Sequence, residues 1–307
     1  MLSSSKAKGY FALFATSIIW GTTWVASKIG VGEIPALQMA YIRQFFAGVI
    51  FVSFFLFYKK TPLPTAKQFL WLFVMAIIMF VSANGLSTWG IKFIPAGLGS
   101  LIGALYPLSV VVMERLFFNS KKIPPVTFLG FFLGISGIAI VSYENAFHHT
   151  GPSFMFGIFL SIIAMLSWSA GTIFIARNKV DINPYFGVGW QMLISSVILF
   201  AITETTQPTV AFSSISFKVW SIIGFLVIFG SLIAFIAFIY STKVLPTAIA
   251  SLYAYINPFV AMITAYFVID EKLSINILWG SIVTLAGVFL VNYSMKKNNP
   301  IIAENIE

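Results

Sequence analysis

The chain has 307 residues, of which 59% are hydrophobic and only 9% are charged, and its formal net charge is +9 at pH 7. Because soluble globular domains are about one quarter charged, this composition excludes a soluble protein and indicates a chain that lies in a bilayer. The sequence contains no cysteine, which excludes structural disulfides and thiolate metal sites.

Ten apolar stretches are long enough to cross a hydrocarbon core, which takes roughly 20 helical residues. Barrel strands are about ten residues long and alternate strictly, so stretches of this length predict helices. No A-x-A cleavage site follows the first stretch, which is therefore expected to remain as a span. The predicted fold is an all-α integral membrane bundle of ten transmembrane helices, over residues 9–27, 36–58, 69–90, 97–118, 124–143, 154–176, 184–203, 218–241, 246–269 and 274–294.

The basic residues between these spans predict the orientation of the chain. Twelve of them fall on the side of the N-terminus: Lys6, Lys8, Lys59, Lys60, Lys67, Lys121, Lys122, Arg177, Lys179, Lys243, Lys296 and Lys297. Four fall on the other side: Lys28, Lys92, Lys218 and Lys272. The positive-inside rule therefore places both termini in the cytoplasm. The positive charge needs no nucleic acid, because it is spread over several short loops.

The second half of the chain repeats the first. Lys92, Pro95, Ser100, Leu101 and Pro107 recur as Lys243, Pro246, Ser251, Leu252 and Pro258; Thr23, Lys28, Pro35 and Phe51 recur as Thr172, Arg177, Pro184 and Phe200; Gly130, Gly137 and Tyr143 recur as Gly280, Gly287 and Tyr293. We divide the chain into five-helix repeats at 1–145 and 146–307. Because five is odd, the second repeat is inverted, which is typical of secondary transporters with a substrate site near the midplane.

Short motifs in both repeats resemble a known family. The run from Trp20 to Lys28 reads WGTTWVASK and precedes Arg43, and the second repeat carries Asp270-Glu271-Lys272-Leu273, then Gly280 and Leu285-Ala286-Gly287-Val288. These motifs are similar to the signatures of the EamA-type drug/metabolite transporters, over residues of about 10–295. The resemblance implies transport of small metabolites, often efflux of amino acids or related compounds. One departure is that the first repeat has Asn119-Ser120 where the second has Asp270-Glu271.

Two prolines in matching spans are candidate hinges. Proline has no N–H, so Pro107 frees the carbonyl of Gly103 and Pro258 frees that of Ala254, both near the midplane. Each proline follows a pair of small residues four apart, Gly99/Gly103 and Ala250/Ala254, which lets a neighbouring helix approach closely. The pattern fits either a static kink or a point at which each repeat flexes.

Charged residues inside spans are costly and therefore informative. Arg43 is expected to face the bundle interior or its outer mouth, either as a structural arginine or as an anchor for a substrate carboxylate or phosphate. Glu114 is the only acidic residue within a predicted span. Together with Arg115 it is expected to steady a helix end, and the alternative is a proton-coupling carboxylate.

Uncharged polar and aromatic residues complete the candidate substrate site. They are Trp20, Thr23, Asn84, Tyr106, Trp168, Gln191 and Asn257, with Arg43 as the charged member. Trp20 and Trp168 are expected to line a cavity from opposite ends. Trp24, Trp89 and Trp190 are assigned to the aromatic belts at the membrane surface.

The motifs do not favour catalysis. The only histidines, His148 and His149, fall in a loop, and the sequence has no G-x-S-x-G, H-E-x-x-H or P-loop motif. We therefore predict no enzyme, cofactor, metal or obligate protein partner. The predicted function is secondary-active or facilitative export of a small organic metabolite by alternating access in a bacterial inner membrane. An importer or antiporter of an anionic metabolite is the alternative, and an intramembrane enzyme or a channel is a remote one.

Overall fold

A computed structural model of the chain describes residues 4–118, 124–148, 152–178, 180–206 and 208–298. The described residues form ten successive helices and no strand. Asn119, Ser120, Lys121, Lys122, His149 and Lys179 lie outside the described residues. The helices are α1 (Ser4–Glu33), α2 (Ala36–Tyr58), α3 (Ala66–Gly90), α4 (Ala96–Phe118), α5 (Pro125–His148), α6 (Pro152–Arg177), α7 (Pro184–Thr206), α8 (Phe217–Val244), α9 (Tyr253–Ile269, after the single turn Thr247–Ala250) and α10 (Ile275–Asn298).

Eight of these helices, α2 to α8 and α10, are long and apolar enough to cross a membrane by length and composition. Helix α9 is apolar but shorter, because the chain is interrupted at Ser251 and Leu252 before it. Helix α1 has 30 residues, and Thr22 and Thr23 make its middle less apolar. The ten-helix, all-α membrane fold predicted from the sequence is confirmed.

The helices pack in pairs that follow the internal repeat. Helix α1 packs on α8 and α9, and its equivalent α6 packs on α3 and α4, which are the equivalents of α8 and α9. Helix α2 packs on its own equivalent α7, and α5 packs on its equivalent α10. Each of these contacts thus has a counterpart between the equivalent helices of the other repeat. This is the pattern that a two-fold relation between the repeats produces.

Glycines bring α5 and α10 into close contact. A Cβ atom at Gly130 would lie 2.7 Å from the carbonyl oxygen of Gly287, and one at Gly137 would lie 2.5 Å from that of Gly280. Both distances are shorter than atoms tolerate, so only glycine allows the backbones to approach this closely. The four glycines that recur in the sequence therefore hold the crossing of the two helices, which run antiparallel.

The two proline-containing helices differ in where they are interrupted. In α4 the regular helix ends at Ala104 and resumes at Tyr106, so the interruption at Leu105 lies beside Pro107. In α9 the helix continues through Pro258. Pro258 is the sixth residue of α9, so the carbonyl oxygen of Ala254 lacks its helical N–H donor there. The two helices are therefore interrupted at different distances from their prolines.

Two equivalent helices contain π-helical segments. In α3 the segment covers Ala76–Gly85, and in α8 it covers Leu226–Ile233. Such wide turns are rare and occur frequently at functional sites. Here they place the carbonyl oxygens of Phe80 and Gly230 where side chains of neighbouring helices reach them.

Candidate functional site

A cavity of about 180 Å³ lies between the two repeats. One enclosed water occupies roughly 10–15 Å³ on the same measure, so the cavity has room for a metabolite and not for a polypeptide. Seven helices contribute to it, from both repeats: α1, α2, α3, α4, α6, α8 and α9. The lining residues are Trp20, Thr23, Trp24, Ser27, Arg43, Ala83, Asn84, Ser87, Thr88, Ile91, Gly99, Ser100, Gly103, Ala104, Tyr106, Ser161, Ala164, Met165, Trp168, Phe235, Tyr253, Ala254 and Asn257.

The cavity lies nearer one end of the bundle. We call this end, where α1 ends, the Glu33 end, and the opposite end, where α1 begins, the Ser4 end. The lining residues of α1 come from its second half, and those of α4, which begins at the Glu33 end, come from its first half. Both placements locate the cavity between the midplane and the Glu33 end.

An aromatic cluster closes the cavity toward the Ser4 end. Trp20 is at its centre, with ring centroids 5.3 Å from Phe235, 5.0 Å from Phe238 and 5.4 Å from Tyr253. Tyr106 stacks on Tyr253 at 5.9 Å. Beyond this cluster, apolar residues that include Leu13 and Leu245 fill the Ser4 end. A solute that leaves by the Ser4 end must therefore pass through a separation of these rings.

Trp20 and Trp168 contact each other across the two repeats. Their ring centroids are 6.1 Å apart and their planes are nearly perpendicular, the edge-to-face arrangement that aromatic pairs favour. The expectation that they line the cavity from opposite ends is therefore wrong. Each sits near the middle of its helix, so the two-fold relation brings the two rings together rather than apart.

Arg43 is the one charged residue among the described residues that line the cavity. Its side chain is 7% exposed, and its Nε donates a hydrogen bond of 2.8 Å to Ser231 Oγ in the π-helical segment of α8. The ion pairs found within the described ranges join Arg177 to Glu114 and Lys218 to Glu33, and neither includes Arg43. The terminal nitrogens of the guanidinium are therefore available to an anion in the cavity.

Two asparagines place polar groups on the wall. Asn84 lies in the π-helical segment of α3 and accepts a hydrogen bond of 3.1 Å from Gln44 Nε2. Asn257 lies on α9, and within the described part of the chain its buried Oδ1 has no hydrogen-bond partner. The wall therefore combines two asparagine side chains with the donors of Arg43.

The structure brings most of the candidate residues together. Trp20, Thr23, Arg43, Asn84, Tyr106, Trp168 and Asn257 line the cavity. Gln191 does not, because it lies on α7, which packs against α2 and sends no side chain to the wall. Polar side chains within spans avoid lipid. Their positions in the sequence therefore predict which residues face the interior of the bundle.

Trp24 is a lining residue that the sequence analysis misplaced. Its ring covers the small residues of α4, since Cβ atoms at Gly99 and Gly103 would lie 3.1 Å and 3.4 Å from it. The pair of glycines thus accommodates a tryptophan from α1. Tyr253 and Phe235 were also missed, because tyrosine and phenylalanine within an apolar span carry no signal that separates a cavity from a packed core.

Glu114 lies away from the cavity wall, near the Ser4 end. Its Oε1 is 3.4 Å from Arg177 Nη2 at the end of α6, and the Arg177 guanidinium lies 4.0 Å from the ring centre of Phe118. The arrangement agrees with a structural role at two helix ends. Proton coupling through Glu114 stays a prediction.

Two charged side chains hold the turn between α3 and α4 at the Glu33 end. Lys28 Nζ donates hydrogen bonds of 3.0, 3.3 and 2.9 Å to the carbonyl oxygens of Ile91, Lys92 and Ile94. From the other side, the Glu271 carboxylate accepts from the N–H groups of Ala96 and Gly97, at 2.8 and 3.4 Å. We call this turn, residues 91–97, the clamped turn. Through these hydrogen bonds the clamped turn connects α1 to the loop after α9, at the side of the cavity that faces the Glu33 end.

Comparisons with known proteins agree with this architecture. The family model described as the EamA-like transporter family matches residues 7–143 and 155–293, one copy in each half. A solved structure described as "Crystal structure of protein" has a TM-score of 0.65 at 14% sequence identity, over 95% of this chain and 99% of that one. This likeness supports the fold alone.

Curated relatives include proteins named as transporters and one named as WAT1-related. The "Uncharacterized inner membrane transporter YedA" of Escherichia coli (strain K12) is 28% identical, over 86% of this chain and 83% of the relative. The "Uncharacterized transporter YoaV" of Bacillus subtilis (strain 168) is 23% identical, over 94% and 98%. The "WAT1-related protein At3g02690, chloroplastic" of Arabidopsis thaliana is 30% identical, over 92% and 68%. The chain is thus a membrane transporter that belongs to the EamA-like transporter family.

Proposed function

We propose that the chain is an alternating-access carrier that exports a small organic metabolite with a carboxylate group, an amino acid or a related compound. The observation that carries this proposal is Arg43, a buried cation on the wall of a cavity between two repeats. A buried charge is costly without a counter-charge. An anionic solute supplies that charge, and the planar guanidinium can donate two parallel hydrogen bonds to a carboxylate.

The rest of the wall supports a solute with both a polar and an apolar part. The rings of Trp20, Trp24 and Trp168 offer flat apolar surfaces that can stack on a side chain or ring. Asn257 also lines the cavity, and a rotation of its side chain would let the unpartnered Oδ1 accept a hydrogen bond from an ammonium or amide N–H of the solute. A carboxylate, a donor and an apolar group together describe an amino acid or a close relative.

The energy source follows from the chemistry of the chain. The sequence has no phosphate-binding P-loop, so transport is downhill, by exchange, or coupled to an ion gradient. If protons drive it through a side chain, Glu114 is our candidate. Protonation of Glu114 would break its ion pair with Arg177 and loosen two helix ends at the Ser4 end.

We propose that the Ser4 end faces the cytoplasm of a bacterial inner membrane. The twelve-to-four distribution of basic residues supports this orientation. A reporter that is active only in the cytoplasm should work when fused after Lys60, Lys122 or Lys297 and fail after Gly32 or His149. The reverse pattern would contradict the proposed orientation.

Metabolite profiling tests the proposed function. Cells that express the chain, cells that express its Arg43→Gln variant and cells with neither are grown side by side, and the media are compared. If the chain is an exporter, a carboxylate should accumulate in the medium of cells that express the natural chain and not in the medium of the other two cultures. Depletion of a carboxylate from the medium would instead support import, and unchanged media together with no uptake into proteoliposomes would refute transport of this class.

A further inference from the structure

A buried chain of polar side chains connects α7 to the cavity through α2 and α3. The hydroxyl of Ser195 donates a hydrogen bond to Gln44 Oε1. Gln44 Nε2 then donates to Asn84 Oδ1 at 3.1 Å, and Asn84 lines the cavity. Gln44 is 1% exposed and Ser195 is 0% exposed, so neither touches water or solute. We call these three residues the amide relay.

A backbone carbonyl fixes the direction of the amide relay. Gln44 Nε2 also donates to the carbonyl oxygen of Phe80 at 3.3 Å, within the π-helical segment of α3. A carbonyl oxygen can only accept, so the nitrogen end of the Gln44 amide must face Phe80. The same nitrogen also donates to Asn84, so the Asn84 atom that accepts this hydrogen bond must be its side-chain oxygen.

The orientation of Asn84 follows from that of Gln44. With its oxygen bound to Gln44, the Asn84 carboxamide turns its NH₂ group away from the relay, toward the side that lines the cavity. Arg43, the neighbour of Gln44 in the chain, holds Ser231 with its Nε and keeps its terminal nitrogens for the cavity. The wall therefore carries donors from two helices, α2 and α3.

We propose that Gln44 and Ser195 are positioning residues that set Asn84 as a second donor beside Arg43, so that the cavity selects a carboxylate over its primary amide. This inference rests on the proposed function, in which Arg43 supplies the first donor. A carboxylate offers one acceptor oxygen to Arg43 and another to Asn84, whereas a primary amide has one oxygen and must turn its NH₂ group toward one of these donors and lose that hydrogen bond.

The test compares the affinities of an acid and its amide. The purified chain in lipid nanodiscs is titrated with phenylacetate and with phenylacetamide by isothermal titration calorimetry, and the ratio of the two dissociation constants is measured. In Gln44→Leu the Asn84 amide is free to turn, so we expect the preference for the acid to fall about tenfold, as for the loss of one hydrogen bond to a charged group. In Ser195→Ala, where Phe80 still orients Gln44, we expect a fall of about twofold to threefold.

Two matched variants serve as controls. Gln38→Leu removes another buried glutamine of α2, whose amide binds the backbone of Val210. Ser196→Ala removes the serine next to Ser195, whose hydroxyl binds the carbonyl of Leu193. Both should keep the wild-type ratio. A purely structural role of Gln44 would weaken both ligands equally and leave the ratio unchanged.

Each outcome bears on a separate claim. A wild-type preference for the acid that persists in Gln44→Leu and in Ser195→Ala would overturn the amide relay and leave the proposed function intact. If Gln44→Leu does not fold, the ratio in Ser195→Ala decides, and an unchanged ratio overturns the relay. A wild type that binds neither compound, or binds both equally, would contradict the anion site itself and the relay with it.

Discussion

Two basic side chains inside this bundle find different partners. Lys28 donates to three backbone carbonyls of the clamped turn. Arg43 donates to one hydroxyl, that of Ser231, and directs the rest of its guanidinium at the cavity. Their surroundings therefore separate a cation that holds the structure together from one that is free to bind a solute.

Arg43→Gln should weaken solute binding about tenfold to a hundredfold. Loss of a hydrogen bond to a charged group typically costs about 1.5–3 kcal/mol, which corresponds to that change in affinity. The substitution removes the bond to Ser231 but also removes a buried charge that has no counter-charge, so the melting temperature of the solute-free protein should stay nearly the same. Arg43→Lys should restore only part of the affinity, since an ammonium lacks the planar fork. Binding is measured on purified protein by calorimetry and unfolding by thermal melting.

Ser231→Ala is the matched control for this prediction. It removes the hydroxyl that holds Arg43 Nε but keeps the charge on the wall. We expect a smaller loss of affinity than in Arg43→Gln. An Arg43→Gln protein that unfolds at a much lower temperature, with unchanged affinity where folded, would show that the arginine is structural.

The sequence predicted the arginine and the two asparagines of the wall better than its aromatic residues or its serines. A polar side chain within a span has a physical reason to avoid lipid, so Asn84 and Asn257 could be assigned to the interior. Trp24 could not, because a tryptophan near the end of a span suits both an aromatic belt and a wall. Gln191 shows the limit of the polar signal, since it is buried between helices without reaching the cavity.

At the scale of the helices, α4 and α9 are our candidates for the moving parts. Pro107→Ala should restore a helical N–H beside the interruption at Leu105, stiffen α4 and slow turnover more than it weakens binding. Pro258→Ala should have a smaller effect, because α9 already continues through that proline. Since the repeats are inverted, the two changes should favour openings at opposite ends of the bundle.

A single cysteine reports these openings, because the natural chain has none. Ser100→Cys places a thiol on the cavity wall with little change in volume. Its labelling rates from the two sides of the membrane are compared in both proline variants and in the unchanged background. If both proline variants transport at the wild-type rate and show the same labelling as the unchanged background, the prolines contribute to helix packing and not to opening.

Glu271 should stabilise the closed state of the Glu33 end. Its carboxylate binds the first N–H groups of α4, where a negative charge also favours the helix dipole, and such caps contribute about 0.5–2 kcal/mol. Glu271→Gln should therefore shift the population toward opening at this end by roughly twofold to thirtyfold. Faster labelling of Ser100→Cys from that side is the expected result.

Glu33→Gln is the control for a lost carboxylate at the same end. Glu33 pairs with Lys218 at 3.0 Å, but both side chains are about half exposed, and exposed pairs contribute little. In the Glu33→Gln variant, the cysteine of Ser100→Cys should be labelled at the same rate as in the protein without the Glu33 change. Equal labelling of the Glu271 and Glu33 variants would contradict a role for the clamped turn in closure.

Element positions followed from the apolar stretches, but their internal irregularities did not. The π-helical segments of α3 and α8 carry no sequence signal, because side chains of other helices bind the carbonyls of Phe80 and Gly230 there. The interruption of α9 at Ser251 and Leu252 was likewise not predicted, since proline is the only interruption visible in that stretch of sequence. Tertiary contacts decide both.

For the whole molecule, the prediction of the fold depended on the internal repeat in the sequence. Recurring glycines such as Gly130 and Gly280 face the partner repeat at the α5–α10 crossing, so the pattern in the sequence has a direct structural cause. The repeat does not predict where the two halves differ. Lys28 binds carbonyls at the Glu33 end, whereas its counterpart Arg177 pairs with Glu114 at the Ser4 end. The two ends are therefore held by different contacts.

Counterflow in proteoliposomes tests most directly whether this cavity carries a solute from one face to the other. Vesicles are loaded with the unlabelled carboxylate found by profiling, and uptake of the labelled compound is followed for the natural chain and for Arg43→Gln. A carrier predicts saturable uptake that preloading accelerates and that Arg43→Gln reduces at least tenfold at low solute concentration. Uptake that rises linearly with concentration, ignores preloading and persists in Arg43→Gln would contradict the account.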